Sequence, residues 1–368
     1  MLRVAIVYHY FAHYRKPIIK VLQSSNAVTY DFFSDLENNK GVKVYKPEKQ
    51  FTRIENKIFF SSFIWQKEII RHVLNGDYDA VILLGDFKIL SNWIVMLIMK
   101  IRRRQAYLWT HGLLQDEHGL KWVLRKLFYK MSSGLFLYGE RSKKLLIDKG
   151  FQENKLHVIY NSLDLEQQRK YVVEQNIKQI KESLFSKDIL QVVYSARLKT
   201  SRLNGIKSLI RTIDEINKFS NKKLHLVVVG DGEIKDGLLE YSHRFSDAIV
   251  TFEGAIYDED TLSNIFKDSY CCIMPDDIGL SAIHSLGYYT AVLTHNNMDH
   301  HKPEVEILSR NVTGFFYCAE DENGLLNKLH SITSKNIYAD NFFSEVDKML
   351  STKYNPNRQV EIMEKVIG

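Results

Sequence analysis

Short apolar runs rich in β-branched and aromatic residues alternate along this chain with stretches of helical character. In the first half the runs fall at residues 4–7, 80–84, 106–109, 135–138 and 157–160. A second series follows at 190–194, 224–229, 249–252, 271–274 and 291–294. Such alternation predicts βα units and parallel sheets, hence two α/β domains of Rossmann-like type. Between the series, residues 164–187 are rich in Gln, Lys and Glu and poor in strand signals, which places a hinge near Asp164 and a helix ahead of the second domain. The expected division is therefore 1–164, joined by a C-terminal helix at 353–368, and 165–352.

Length agrees, since 368 residues exceed what one hydrophobic core usually serves. Hydrophobic residues make up 45% and charged residues 26%, as in a globular chain that is neither disordered nor membrane-spanning. The most apolar stretch, 89–101, is far shorter than the roughly 20 residues a spanning helix needs, and reads as a core helix. Residues 2–8 read as a first buried strand and not as a signal peptide. Three cysteines, two of them the adjacent Cys271 and Cys272, give neither a disulfide framework nor a zinc knuckle, so a reducing cytoplasm is expected. A net charge of +6 is modest and selects no partner, and no nucleic acid is expected.

The most informative segment is Pro275-Asp276-Asp277-Ile278-Gly279-Leu280-Ser281-Ala282-Ile283-His284-Ser285-Leu286-Gly287, between two predicted strands. A strand, a Gly-containing turn and a helix start put unpaired N–H groups and the positive helix end where a diphosphate could sit. An ordinary βα turn has the same pattern. A second segment is Val193-Tyr194-Ser195-Ala196-Arg197-Leu198, followed by Lys199 and Arg202 and then by Gly205-Ile206-Lys207. A third, Leu108-Trp109-Thr110-His111-Gly112, places His111 at the carboxyl end of a strand, where ligands of open α/β sheets gather.

Together these segments resemble the retaining enzymes of glycosyltransferase family 4, over more than half of the chain. The resemblance implies two Rossmann-like domains facing a central cleft, the GT-B architecture, with the acceptor on the first domain and the nucleotide-sugar on the second. It implies that Arg197, with Arg202 or Lys199 in place of the family's usual second cation, holds the donor diphosphate together with Gly279, Leu280 and Ser281. It places Asp276 and His284, where the family carries two Glu, at the donor sugar or ribose, and His111 at the sugar. In Phe252-Glu253-Gly254-Ala255-Ile256-Tyr257 the nucleobase would dock near Ile256 and Tyr257. The turn Tyr160-Asn161-Ser162-Leu163-Asp164 is similar to the family's crossover, whereas Tyr8-His9-Tyr10-Phe11-Ala12-His13-Tyr14-Arg15 replaces its Gly-rich first turn. The implied partners are a nucleotide-sugar donor and a glycan or lipid-linked acceptor in polysaccharide synthesis, with no cofactor. An epimerase or hydrolase of the same fold, or a non-catalytic nucleotide-binding scaffold, remains an alternative.

Other groupings weigh less. Asp258-Glu259-Asp260 imitates a metal-binding triplet but suits a helix start, where acids meet the macrodipole. His295, Asp299, His300, His301 and Glu304 match no standard metal spacing, and no metal is expected. Leu120, Val123, Leu124, Leu127 and Phe128 recur at helical spacing, with Lys121, Arg125, Lys126 and Lys130 on other faces and Lys100, Arg102, Arg103 and Arg104 nearby. A core-packed helix with a solvated basic side is the preferred reading, and peripheral docking on the inner, anionic face of a membrane the competing one.

Overall fold

The computed structural model describes residues 1–37, 42–60, 62–173 and 176–368, with the side chains of residues 173 and 340 set aside. The chain divides into two compact units, Met1–Asp164 with Lys353–Gly368, and Leu165–Thr352. Of the expected hinge segment, residues 174 and 175 lie outside the described residues, while helices Leu165–Val173 and Ile177–Leu184 flank them within the second unit.

In the first unit the strands are β1 (Leu2–Tyr10), β2 (Val28–Asp35), β3 (Phe51–Arg53), β4 (Asn56–Phe59), β5 (Phe63–Gln66), β6 (Ala80–Leu84), β7 (Gln105–Thr110), β8 (Gly134–Leu137) and β9 (Leu156–Val158). Seven of them form a sheet of order β3-β2-β1-β6-β7-β8-β9, every pair parallel, and β4 with β5 makes a separate antiparallel hairpin. Successive residues of β1 serve opposite faces: Val4, Ile6 and Tyr8 join one core with Phe32, Trp109 and Tyr138, and Ala5 and Val7 join the other with Val81 and Leu108. That is why these strands read as unbroken apolar runs. The C-terminal helix Pro356–Ile367 adds Val360, Met363 and Ile367 to the first core.

The second unit holds β10 (Ile189–Ser195), β11 (Lys223–Val229), β12 (Ile249–Gly254), β13 (Ser269–Met274), β14 (Val292–His295) and β15 (Gly314–Tyr317), in the all-parallel order β12-β11-β10-β13-β14-β15. All six residues of β13 are buried. Helix Leu203–Phe219 buries Ile206, Leu209, Ile210 and Ile213, the spacing of one helical face. The polar segment ahead of this sheet contains a buried cation: Lys181 donates to the carbonyls of Phe266 and Ser269, both at 2.7 Å, and to Thr290 Oγ1 at 2.9 Å. Burial pushes its pKa down, and the three acceptors satisfy every ammonium hydrogen.

Two expectations about the first unit need correction. Helix Gly119–Met131 buries only Trp122, Phe128 and Tyr129, while Leu120 is 75%, Val123 58% and Leu127 53% exposed. The preferred core-packed reading of that stripe therefore holds only for Phe128, and Leu120, Val123, Leu124 and Leu127 are exposed. Helix Leu90–Ile101 is likewise core on one side only: Val95, Met96 and Met99 are buried, but Leu90, Ile94, Leu97 and Ile101 are exposed. No helix among the described residues is long and apolar enough to cross a membrane.

Candidate functional site

Strand order reverses direction in the second unit between β10 and β13, and the loops leaving their carboxyl ends define a site of the kind open parallel sheets use for ligands. The β10 loop is held rigidly. Leu198 N–H donates to the Asp231 carbonyl at 3.0 Å and Ala196 N–H to that of Val229 at 3.1 Å. This close approach demands glycine at two neighbouring positions, because a Cβ on Gly230 would stand 2.0 Å from the Ala196 carbonyl oxygen and one on Gly232 2.1 Å from that of Leu198. Both glycines also have positive φ, 150° and 152°. Arg197 therefore projects, exposed, from a backbone fixed on either side.

The next two cations differ. Lys199 is exposed and lies 3.9 Å from Asp277 Oδ1. Arg202, expected at the diphosphate, is engaged elsewhere: its Nη2 donates to the Asp277 carbonyl at 2.9 Å and to Oδ1 at 2.8 Å, Nη1 donates to the Tyr194 hydroxyl at 3.3 Å, and its side chain is only 10% exposed. It fastens the β13 loop to the β10 loop. Asp276 accepts from the same Tyr194 hydroxyl at 3.5 Å and lies against Gly205, where an added Cβ would meet Oδ1 at 2.0 Å. Burial, helped by the charge of Asp277 and opposed by Arg202, pushes the Asp276 carboxyl up to about 7.

Helix Leu280–Gly287 starts at Gly279 without a side-chain cap, and the N–H groups of Leu280 and Ser281 meet no acceptor among the described residues. The turn before it is braced by His301, whose Nδ1 accepts from Ile278 N–H at 3.2 Å while Nε2 lies 2.9 Å from the His295 carbonyl. That contact fixes the proton on Nε2. His295 stacks on His301 at 4.1 Å and accepts from Asn297 N–H, and burial beside His301 and His300 lowers its pKa to about 4. These imidazoles brace the loop through the backbone, and no metal-binding group of three or more His, Cys, Asp or Glu occurs among the described residues.

His284 faces Glu259, with Nε2 at 3.7 Å from Oε2, and packs against Phe266 and Tyr288. Asp258 caps helix Glu259–Asp268 by accepting from Thr261 N–H at 2.8 Å. Ile256 and Tyr257 follow β12, Ile256 half-buried and Tyr257 64% exposed. One group escaped the sequence reading. The stem of Lys302 packs on Gly279, its Cγ 3.3 Å from where a Cβ would stand, with the Glu304 carboxylate 3.8 Å from the same point. Lys302 has no carboxylate partner among the described residues. Its only signal in the sequence was a place in the loop after β14.

In the first unit His111 follows β7, exposed, with its ring 4.8 Å from that of Tyr138. Gly112, at φ 66°, turns the chain so tightly that a Cβ would meet Ser142 Oγ at 2.0 Å, and Ser142 Oγ accepts from Leu113 N–H at 3.0 Å. The turn that carries the imidazole is thereby pinned to helix Glu140–Asp148.

Residues 190–335 match the family profile "Glycosyl transferases group 1". No curated protein matches the chain. Among solved structures, HepE of Anabaena in complex with UDP is similar with a TM-score of 0.70 at 15% identity, over 100% of this chain and 99% of that one. The apo lipopolysaccharide outer core galactosyltransferase WaaB is similar at 0.68 and 13%, over 100% and 99%. Sucrose-phosphate synthase from Thermosynechococcus elongatus is similar at 0.68 and 15%, over 100% and 98%. At such identities the neighbours establish the architecture, two Rossmann-like domains of the GT-B type, and the profile spans the sheet that carries Arg197 and the turn at Gly279. The chain has the GT-B fold, and its second unit carries a group 1 glycosyl transferase domain.

Proposed function

We propose that the chain is a retaining, family 4-type transferase that moves a sugar from a UDP-sugar to a glycan or lipid-linked glycan in cell-surface polysaccharide synthesis. The observation that carries this is the pairing, on adjacent strands at the switch point, of a rigidly mounted exposed cation, Arg197, with an uncapped helix start at Leu280 and Ser281. Two fixed positive features suit a diphosphate whose charge grows as it leaves. HepE holding UDP on the same fold supports uridine as the base. Lys302 over Gly279 and Lys199 are the candidates for a second cation, while Arg202 acts by fastening the loop. Ile256 and Tyr257 would meet the base, and Asp276 and His284 lie on the donor side.

In this reading the bond from the anomeric carbon to the diphosphate breaks, the acceptor oxygen bonds to that carbon on the same face, and the acceptor proton passes to the leaving phosphate oxygen. The protein contributes position and charge, His111 of the acceptor-side unit orienting the sugar, and no metal is called for. The test is slow donor hydrolysis by full-length protein with UDP-glucose or UDP-galactose, followed by NMR. First-formed free sugar should keep the donor's anomeric configuration, and His111→Ala should slow its release more than it weakens UDP binding. Inverted sugar, or an epimer, would contradict the reading.

We place the enzyme peripherally on the inner face of a membrane. Support comes from the exposed stripes of helices Leu90–Ile101 and Gly119–Met131, which touch through Trp93 and Phe128 at 5.0 Å. Leu90 also lines an open apolar groove of about 720 Å³ with Phe59, Phe60, Phe63 and Trp65 of the hairpin region. Several nearby cations have protein partners: Lys121 and Arg125 meet Glu117, Arg104 meets Asp77 and Asp79, and Arg102 donates to the carbonyls of Val73 and Leu74. Lys100, Arg103, Lys126 and Lys130 have no carboxylate partner among the described residues and remain for anionic headgroups, at about 1 kcal/mol each.

A further inference from the structure

Arg15 stands just past β1, in the turn His13–Arg15 that leads into helix Lys16–Gln23. Its guanidinium carbon lies 4.7 Å from the ring centre of Trp109, 4.9 Å from Tyr8, 5.7 Å from Tyr138 and 5.9 Å from Tyr14, and Nη2 donates to the Tyr138 hydroxyl. Rings on several sides hold the planar group in one orientation. Among the described residues no carboxylate pairs with it, and the Tyr138 hydroxyl is the one acceptor it meets. The indole Nε1 of Trp109 beside it is buried and also lacks an acceptor.

A guanidinium is always charged, and one drawn in among aromatic rings without a counter-ion keeps its desolvation cost, only partly offset by cation–π attraction. A chain that needed packing alone would do better with an uncharged side chain there. The turn lies at the carboxyl edge of the sheet, beside the strand-order reversal between β1 and β6, and Tyr138 touches both Arg15 and His111. We infer that Arg15 is the anion-binding residue of the first unit and takes a phosphate of the substrate on the free edge of its fork. The phosphate belongs either to the donor diphosphate or to a phosphate-linked acceptor. The transferase reading enters only in naming phosphate rather than another anion.

The test is calorimetry on the full chain, for wild type, Arg15→Met and Arg15→Lys, with UDP in one arm and inorganic pyrophosphate under saturating UDP in the other. Arg15→Met should weaken one arm by about ten- to a hundredfold, as expected for a charge-assisted fork. Loss in the UDP arm assigns the donor phosphate, and loss in the pyrophosphate arm assigns an acceptor phosphate. Arg15→Lys should regain part of the loss, since it keeps the charge but not the fork. The Tm of Arg15→Met without ligand should equal or exceed that of wild type, because an unpaired charge has been removed. A lowered Tm with both affinities within twofold of wild type would make Arg15 a packing residue and overturn the inference. Should Arg15→Met fail to fold, Arg15→Lys decides, and wild-type affinity in both arms overturns it. Wild type binding neither probe would sink this inference and the nucleotide-sugar reading together, whereas UDP binding untouched in every Arg15 variant would spare the latter.

Discussion

Arg202 reaches Asp277 twice through one nitrogen, at 2.9 Å to the main-chain oxygen and 2.8 Å to Oδ1, and so joins the loops of two adjacent strands. The guanidinium is nearly buried and Asp277 about a quarter exposed, so the pair is a clamp and only partly screened. Arg202→Met should lower stability by about 2 kcal/mol, since it strands Asp277 and the Tyr194 hydroxyl, and donor affinity should fall as a consequence of a loosened turn. Urea unfolding with parallel UDP titration checks this. Unchanged stability together with lost UDP binding would instead make Arg202 a direct phosphate ligand.

Asp276 gives the fold a pH dependence of defined sign. Its carboxyl is pushed up to about 7 in the folded chain, chiefly by burial, against ~3.9 for the unfolded chain. Below the lower value both states are protonated and nothing is lost. Between the two, the folded state holds a proton that the unfolded state has released, so stability declines as pH rises from about 4 through 7. Asp276→Asn should remove that decline and exceed wild type at pH 8 by about 2 kcal/mol while matching it near pH 4. Parallel slopes for the two proteins in urea unfolding across that range would contradict the buried acid.

The exposed stripes on helices Leu90–Ile101 and Gly119–Met131 lead to a flotation experiment. Wild type should co-float with vesicles containing anionic phospholipid at low salt and detach at high salt, and should ignore neutral vesicles. Leu120→Ser with Leu127→Ser should weaken flotation without lowering Tm, because both side chains are already in solvent. Failure of wild type to float at low salt would remove the membrane from the account.

What the sequence made legible follows from how locally each feature is encoded. Strands buried on both faces, such as β6 and β13, announce themselves as continuous apolar runs. Strand β2 does not, because its run carries Asp31 and Asp35, whose partners Arg3, Tyr78 and Asn56 are distant in sequence. Lys181 reads as a solvated hinge cation until the carbonyls of Phe266 and Ser269 close on it. The stripe at Leu120 has the same spacing whether it faces core or solvent, and periodicity alone cannot choose. At the candidate site, Arg197 and Gly279 are visible as a pattern after strands, but Arg202 differs from Lys199 through its close contacts to Asp277, 75 residues on, and to the Tyr194 hydroxyl. Lys302 becomes visible only when its stem is seen against Gly279.

A nucleoside diphosphate is expected to bind at Arg197 and the start of helix Leu280–Gly287, and thermal shift on wild type and Arg197→Ala with UDP, GDP, ADP and CMP tests this most directly. One diphosphate, expected to be UDP, should raise the wild-type Tm by several degrees at a hundredfold excess over its Kd, equivalent to about 2.7 kcal/mol. Arg197→Ala should keep the unliganded Tm, because its side chain is exposed, and lose most of that shift, with a parallel loss of about 2 to 4 kcal/mol in transition-state stabilisation when turnover is followed. No shift with any nucleotide at millimolar concentration, or an undiminished shift and turnover in folded Arg197→Ala, would contradict the account.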